Sequence, residues 1–117
     1  MIYTGYFGAI KKYPKDIEIV SIALYTPKAI SVPHIWWLAP TQQILNMWKN
    51  VFIDEREYIK RYKADVLDYI DPVAAARCLD NKILCCFEKP TDFCHRKIVA
   101  SWINSSLERQ MCKEMEV

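Results

Sequence analysis

The sequence predicts an α/β fold: a small, mainly parallel sheet of three or more strands flanked by helices. Three observations carry this expectation. The run Ile17–Leu24 (IEIVSIAL) is apolar with few polar interruptions, as in strands buried on both faces. A block with helical spacing and capping signals separates the early strands from the last one. A strand–helix unit then closes the chain, from Lys82 to about Arg109. The 117 residues fit a single domain, 1–117, of Rossmann-like two-layer or three-layer sandwich type.

Each element follows in order. Ile2–Phe7 is rich in aromatic and β-branched residues and reads as a strand that stops at Gly8. The connection Gly8–Asp16 is shorter than the dozen or so residues a parallel crossover usually takes, so direct pairing of the first two strands stays open. Pro27, Pro33 and Pro40 break up a long loop that carries His34, Trp36 and Trp37. Thr41 can cap a short helix to about Asn50. Asp54 and Glu57 form a capping-box variant that opens a helix to Ile70, with Tyr58, Tyr62, Val66 and Tyr69 on its inner face. Asp71-Pro72 starts a helix to Leu79. Lys82–Glu88 is the third strand, and Asp92 to about Arg109 the last helix; the charged tail beyond it is expected to fray.

Composition narrows the function classes. With 52% hydrophobic and 26% charged residues the chain can bury a core, and disorder is excluded. A net charge of +2 argues against a protein held to nucleic acid by excess positive charge. No apolar run nears the ~20 residues that span a bilayer, so no membrane association is expected. Five cysteines, two of them adjacent at Cys85 and Cys86, suit free thiols in a reducing compartment, and the expected location is the cytoplasm.

The segment Cys86–Arg96 is the candidate site. Glu88 ends the strand, Pro90 turns the chain, and Thr91 or Asp92 can cap the next helix. Cys94, His95 and Arg96 then fall in its first turn, where free amides and the helix dipole favour an anion. There Arg96 can clamp a carboxylate or phosphate, and Cys94 sits where a thiolate is favoured. Open sheets bind ligands beyond the carboxyl ends of their strands, which adds Tyr6, Gly8 and Lys28 to the ligand-binding set. Trp37 joins it as a ring on which a nucleobase can stack. Plainer readings stand beside these. Cys94 can be a small core residue, Arg96 a structural ion pair, and the tryptophans core or dimer-interface plugs.

Other motifs fail. At phosphatase-loop spacing from Cys86 and Cys94 stand Asp92 and Ala100 rather than arginine. No C-x-x-C pair supports zinc, and Gly5 and Gly8, the only glycines, form no phosphate loop. The expectation is therefore no metal and no cofactor.

Leu84–Arg96, a C-x-E…C-H-R pattern at the end of a strand, resembles the signature of the domain of unknown function 488 family. Tyr3–Gly8, Ser21-Ile22, Tyr25–Lys28 and Leu38-Ala39-Pro40 fit one subgroup of it. Ala23-Leu24 stands where many relatives have a basic residue or glycine. The resemblance implies an α/β fold and a site around Glu88, Cys94, His95 and Arg96, but no particular reaction.

The leading expectation is a domain that binds a small anionic ligand such as a nucleotide or nucleoside derivative, with its processing left open. Glu88, Cys94 and His95 would do the chemistry, as acid–base, nucleophile and proton carrier. Two non-enzymatic classes stay open: a module that sequesters or senses the ligand, and a protein-docking module anchored by Trp36-Trp37. The sequence leaves room for a homo-oligomer and for weak nucleic-acid binding.

Overall fold

The computed structural model describes residues 1–117. Its sheet is wholly parallel, with strands β1 (Ile2–Tyr6), β2 (Glu18–Ser21), β3 (Lys82–Cys86) and β4 (Cys112–Glu114) in the order β2-β3-β1-β4. The first two strands do not pair: β3 lies between them, with Tyr3 opposite Ile83 on one side and Val20 opposite Leu84 on the other. The short connection after β1 is possible because it skips a strand without forming a helical crossover; it folds instead as a 3₁₀ turn over Phe7–Lys12.

Four helices follow: α1 (Gln42–Lys49), α2 (Glu55–Asp65), α3 (Pro72–Leu79) and α4 (His95–Ser106). The main core joins Ile2, Val20 and Leu84 of the sheet to Ile44, Tyr62, Leu79, Val99 and Ile103 of the four helices. All α-helices therefore pack on one face. The other face is covered by the 3₁₀ segment, through Phe7, Ala9 and Tyr13 against Ile83 and Cys85. The two-layer form is the one observed. Gly5 of β1 lies directly beneath this cover: a Cβ there would lie 2.5 Å from the Tyr13 hydroxyl, which accepts a hydrogen bond from the Tyr6 amide at 3.0 Å.

The expected caps at Thr41, Asp54 and Asp71 are present, each accepting a backbone N–H of its helix, from Ile44, Glu57 and Val73. Three expectations need correction. Helix α2 stops at Asp65 rather than Ile70, because Val66 leaves helical angles and a 3₁₀ turn over Leu67–Tyr69 follows. That break buries both Val66 and Leu67 and sends Tyr69, expected inward, to 83% exposure. Helix α4 begins at His95, not Asp92, with Cys94 as its N-cap residue and no side-chain cap. The tail after Arg109 forms β4 instead of fraying. Asn104 holds it there, its Oδ1 accepting from the Met111 and Cys112 amides at 2.8 and 2.9 Å and its Nδ2 donating to the Cys112 carbonyl.

The end of α1 stores local strain. The Phe52 amide donates to the Met47 carbonyl and the Val51 amide to that of Trp48, a Schellman closure that puts Val51 at φ 60°. Glycine is the residue suited to that angle, and a β-branched side chain is poorly suited to it. Val51 is 86% exposed and has little packing to lose. Val51→Gly is therefore expected to stabilise the domain by about 1 kcal/mol, read as a higher urea midpoint at unchanged slope. A lower midpoint would contradict the strain.

Candidate functional site

Strands β2 and β3 both point their carboxyl ends at one cavity of about 200 Å³. Ala23 and Leu24 beyond β2, and Cys86, Phe87 and Glu88 at and beyond β3, form one side of it. The start of α4 contributes Phe93, Cys94 and His95, while α1 and α2 contribute Trp48, Lys49 and Tyr58. Its inner residues, Cys86, Cys94, His95 and Tyr58, are buried, whereas Glu88, Lys49 and Tyr25 stand exposed at the mouth.

Aromatic rings make the wall. Trp48, Tyr58 and Phe93 pack mutually, with ring centroids 4.9 to 5.6 Å apart in tilted or edge-on pairs. Burial, and secondarily the nearby Glu88 carboxylate, pushes the Tyr58 hydroxyl well above its ordinary range.

His95 is held on both sides. Its Nε2 lies 2.7 Å from the Ile22 carbonyl, which can only accept, so Nε2 carries the proton. Nδ1 is then a free lone pair, 3.6 Å from Cys94 Sγ. Burial lowers the imidazole pKa to about 4, the Ile22 bond opposing and the Arg96 charge assisting, so the ring is neutral at pH 7. The sulfurs of Cys86 and Cys94 are in covalent contact, with their Cα atoms 7.5 Å apart. This corrects the expectation of five free thiols; Cys78, Cys85 and Cys112 are the free ones. Burial pushes the thiols of Cys85 and Cys112 up to about 12, which makes both inert.

Arg96 has a different place from the one expected. It is fully buried and its guanidinium is occupied: Nε and Nη2 donate to the two Glu114 oxygens at 3.1 and 3.2 Å. Nη1 donates to the Glu88 carbonyl at 2.6 Å and to Cys86 Sγ at 3.0 Å. The structural ion pair is the arrangement found, and no open clamp for an anion exists. The reason is β4: its Glu114, fixed also by the Thr4 hydroxyl at 2.6 Å, supplies the counter-charge. Arg96 thus positions the β3–α4 turn from behind.

The cavity brings together Glu88, Cys94 and His95 of the expected residues. It does not include Tyr6, Gly8, Lys28 or Trp37. Tyr6 stacks its ring 6.0 Å from the Arg96 guanidinium carbon, Gly8 and Lys28 are exposed, and Trp37 lines a separate shallow cleft with Tyr69 and Ile70. Trp48, Tyr58, Phe93 and Lys49 were missed as lining residues. Helical spacing marks an inward face for Trp48 and Tyr58, and nothing in it separates a core wall from a cavity wall. Lys49 is exposed and Phe93 lies in the turn before α4, so no periodicity marks either.

Residues 6–107 match the family model described as the active DUF488-N3 subclade. No curated protein and no solved structure matches the chain.

Proposed function

We propose that this chain, which belongs to the domain of unknown function 488 family, binds a nucleotide or nucleoside derivative in this cavity and processes it there. The observation that carries the reading is the cavity's make-up: an aromatic wall facing a carboxylate, a neutral imidazole and two sulfurs. A volume of about 200 Å³ is below the ~300–1,000 Å³ of sites that engulf a drug-sized ligand, so it suits one ring system with a tail outside. The base would stack against Trp48 or Phe93. Glu88 would accept from its exocyclic N–H or from a sugar hydroxyl. Lys49, the lysine at the mouth, would meet the phosphate in place of Arg96. Once the Cys86–Cys94 pair is reduced, His95 Nδ1 is an acceptor beside the Cys94 thiol, the pairing a thiol nucleophile needs. The subclade description "active" agrees with a chemical role. A reducing cytoplasm is the compartment this reading takes, since it keeps Cys78, Cys85 and Cys112 as thiols and returns Cys86 and Cys94 to thiols as the chemistry requires.

A thermal-shift panel of nucleosides and nucleotides tests the reading. A binding member should raise the melting temperature, and Trp48→Ala should weaken its affinity about tenfold or more, since a stacked base is worth ~1–3 kcal/mol. Lys49→Ala should weaken nucleotides and leave nucleosides unchanged. Turnover of the bound member assigns catalysis, and its intact recovery assigns sequestration. Silence from every member would reject the reading and leave the 72% exposed Trp36, as the anchor of a docking module, in its place.

A further inference from the structure

Three potential metal ligands meet at the inner end of the cavity. Cys86 Sγ, Cys94 Sγ and one ring nitrogen of His95 all lie within 4.8 Å of one another, on residues that are each at least 95% buried. Sequence spacing conceals this set, because no C-x-x-C pair is present. The fold creates it: β3 carries Cys86 inward, and the turn returns Cys94 and His95 to the same point at the start of α4.

We propose that these residues bind one zinc-class divalent ion through two thiolates and the His95 Nδ1 lone pair, with a fourth position open to the cavity. Four observations support it. The imidazole already has a ligand's orientation, since its Nε2–H is taken by the Ile22 carbonyl at 2.7 Å and only Nδ1 faces the sulfurs. Metal-bound histidines characteristically donate their other N–H in this way. The Arg96 guanidinium donates to Cys86 Sγ at 3.0 Å, a bond that favours thiolate. Thirdly, the backbone spaces the cysteines too widely for an ordinary disulfide: the Cα atoms are 7.5 Å apart, whereas bridged pairs usually fall within about 4.4–6.8 Å. Two sulfurs sharing a tetrahedral ion stand about 3.8 Å apart, given Zn–S bonds of ~2.3 Å, and that wider spacing suits these backbone positions. Lastly, charge balances. Each thiol releases one proton on binding, the two thiolates neutralise the dication, and Glu114 neutralises Arg96.

Three protein ligands and an open position are the pattern of a catalytic rather than a structural zinc. A water in that position would be ionised near neutral pH and would face the cavity that Glu88 also lines. Metal binding at these three residues requires no nucleotide in the cavity.

Titration of the reduced, chelator-stripped full chain with Co(II) decides it. The expected result is saturation at one equivalent with thiolate-to-cobalt charge-transfer absorption, and displacement by Zn(II). Cys86→Ser and Cys94→Ser should each lose that absorption, and Cys78→Ser, at an exposed free thiol, should keep it. Circular dichroism checks that the serine variants fold; should they not, native mass spectrometry of the wild-type chain still reads one bound ion or none. A folded, fully reduced chain that takes up no cobalt overturns the proposal and leaves a thiol pair that only forms a disulfide. Absorption lost with Cys78→Ser but kept in both other variants overturns it equally.

Discussion

Replacing Arg96 with methionine is expected to cost about 2–4 kcal/mol of stability, enough to threaten folding of a domain this size. Breaking a buried ion pair costs ~3–5 kcal/mol, and the 31% exposure of the Glu114 side chain lowers that figure through solvent screening. The loss has three parts: Glu114 is left without its fork partner, and the Glu88 carbonyl and Cys86 sulfur each lose a donor. Urea denaturation measures it. A double variant that also carries Glu114→Gln should recover part of the loss, because the stranded carboxylate is gone. A single-variant loss below about 1 kcal/mol would show that the pair does not hold the turn.

The second large effect is acid sensitivity from His95. Its folded pKa of about 4 lies below the ordinary 6.5, because burial penalises the charged ring. As pH falls through 6.5 the unfolded chain takes up a proton that the folded chain refuses. The unfolded state therefore binds more protons, and stability falls with pH until the folded ring also titrates near 4. The whole window is worth roughly 3 kcal/mol, at ~1.4 kcal/mol per pH unit. Melts in chelator between pH 6.5 and 5 isolate it from the carboxylates, which titrate lower. His95→Gln should flatten that part of the curve. An unchanged slope in the variant would show that the ring is not held neutral.

The sequence made the helical block legible because Thr41, Asp54 and Asp71 declare their caps chemically, one side-chain oxygen ahead of each helix. The strands of the parallel sheet were legible as apolar runs. Their order was not, since which strand lies between β1 and β2 depends on long-range packing. Strand β4 escaped notice because three residues, two of them charged, carry too little pattern, and its partner Asn104 is remote in kind from a strand signal. The site was half visible. The segment Glu88–His95 could be placed at a strand's carboxyl end, but the direction of Arg96 could not, because its counter-charge sits in a tail with no recognisable element. The convergence of Cys86 with Cys94 was hidden for the same reason that loops hide distances: the turn between them sets whether the thiols meet.

One detail of the pleat matters for chemical probing. Cys85 and Cys86 are sequence twins, yet successive strand residues face opposite sides, so Cys85 joins the thin apolar cover while Cys86 reaches the cavity. In the chain with the Cys86–Cys94 pair reduced, electrophiles that enter from solvent meet only the second of these neighbours. A one-residue slip of β3 against its partners would exchange them, turning the unreactive twin into the reactive one, so strand registration is itself the selector of which sulfur is available.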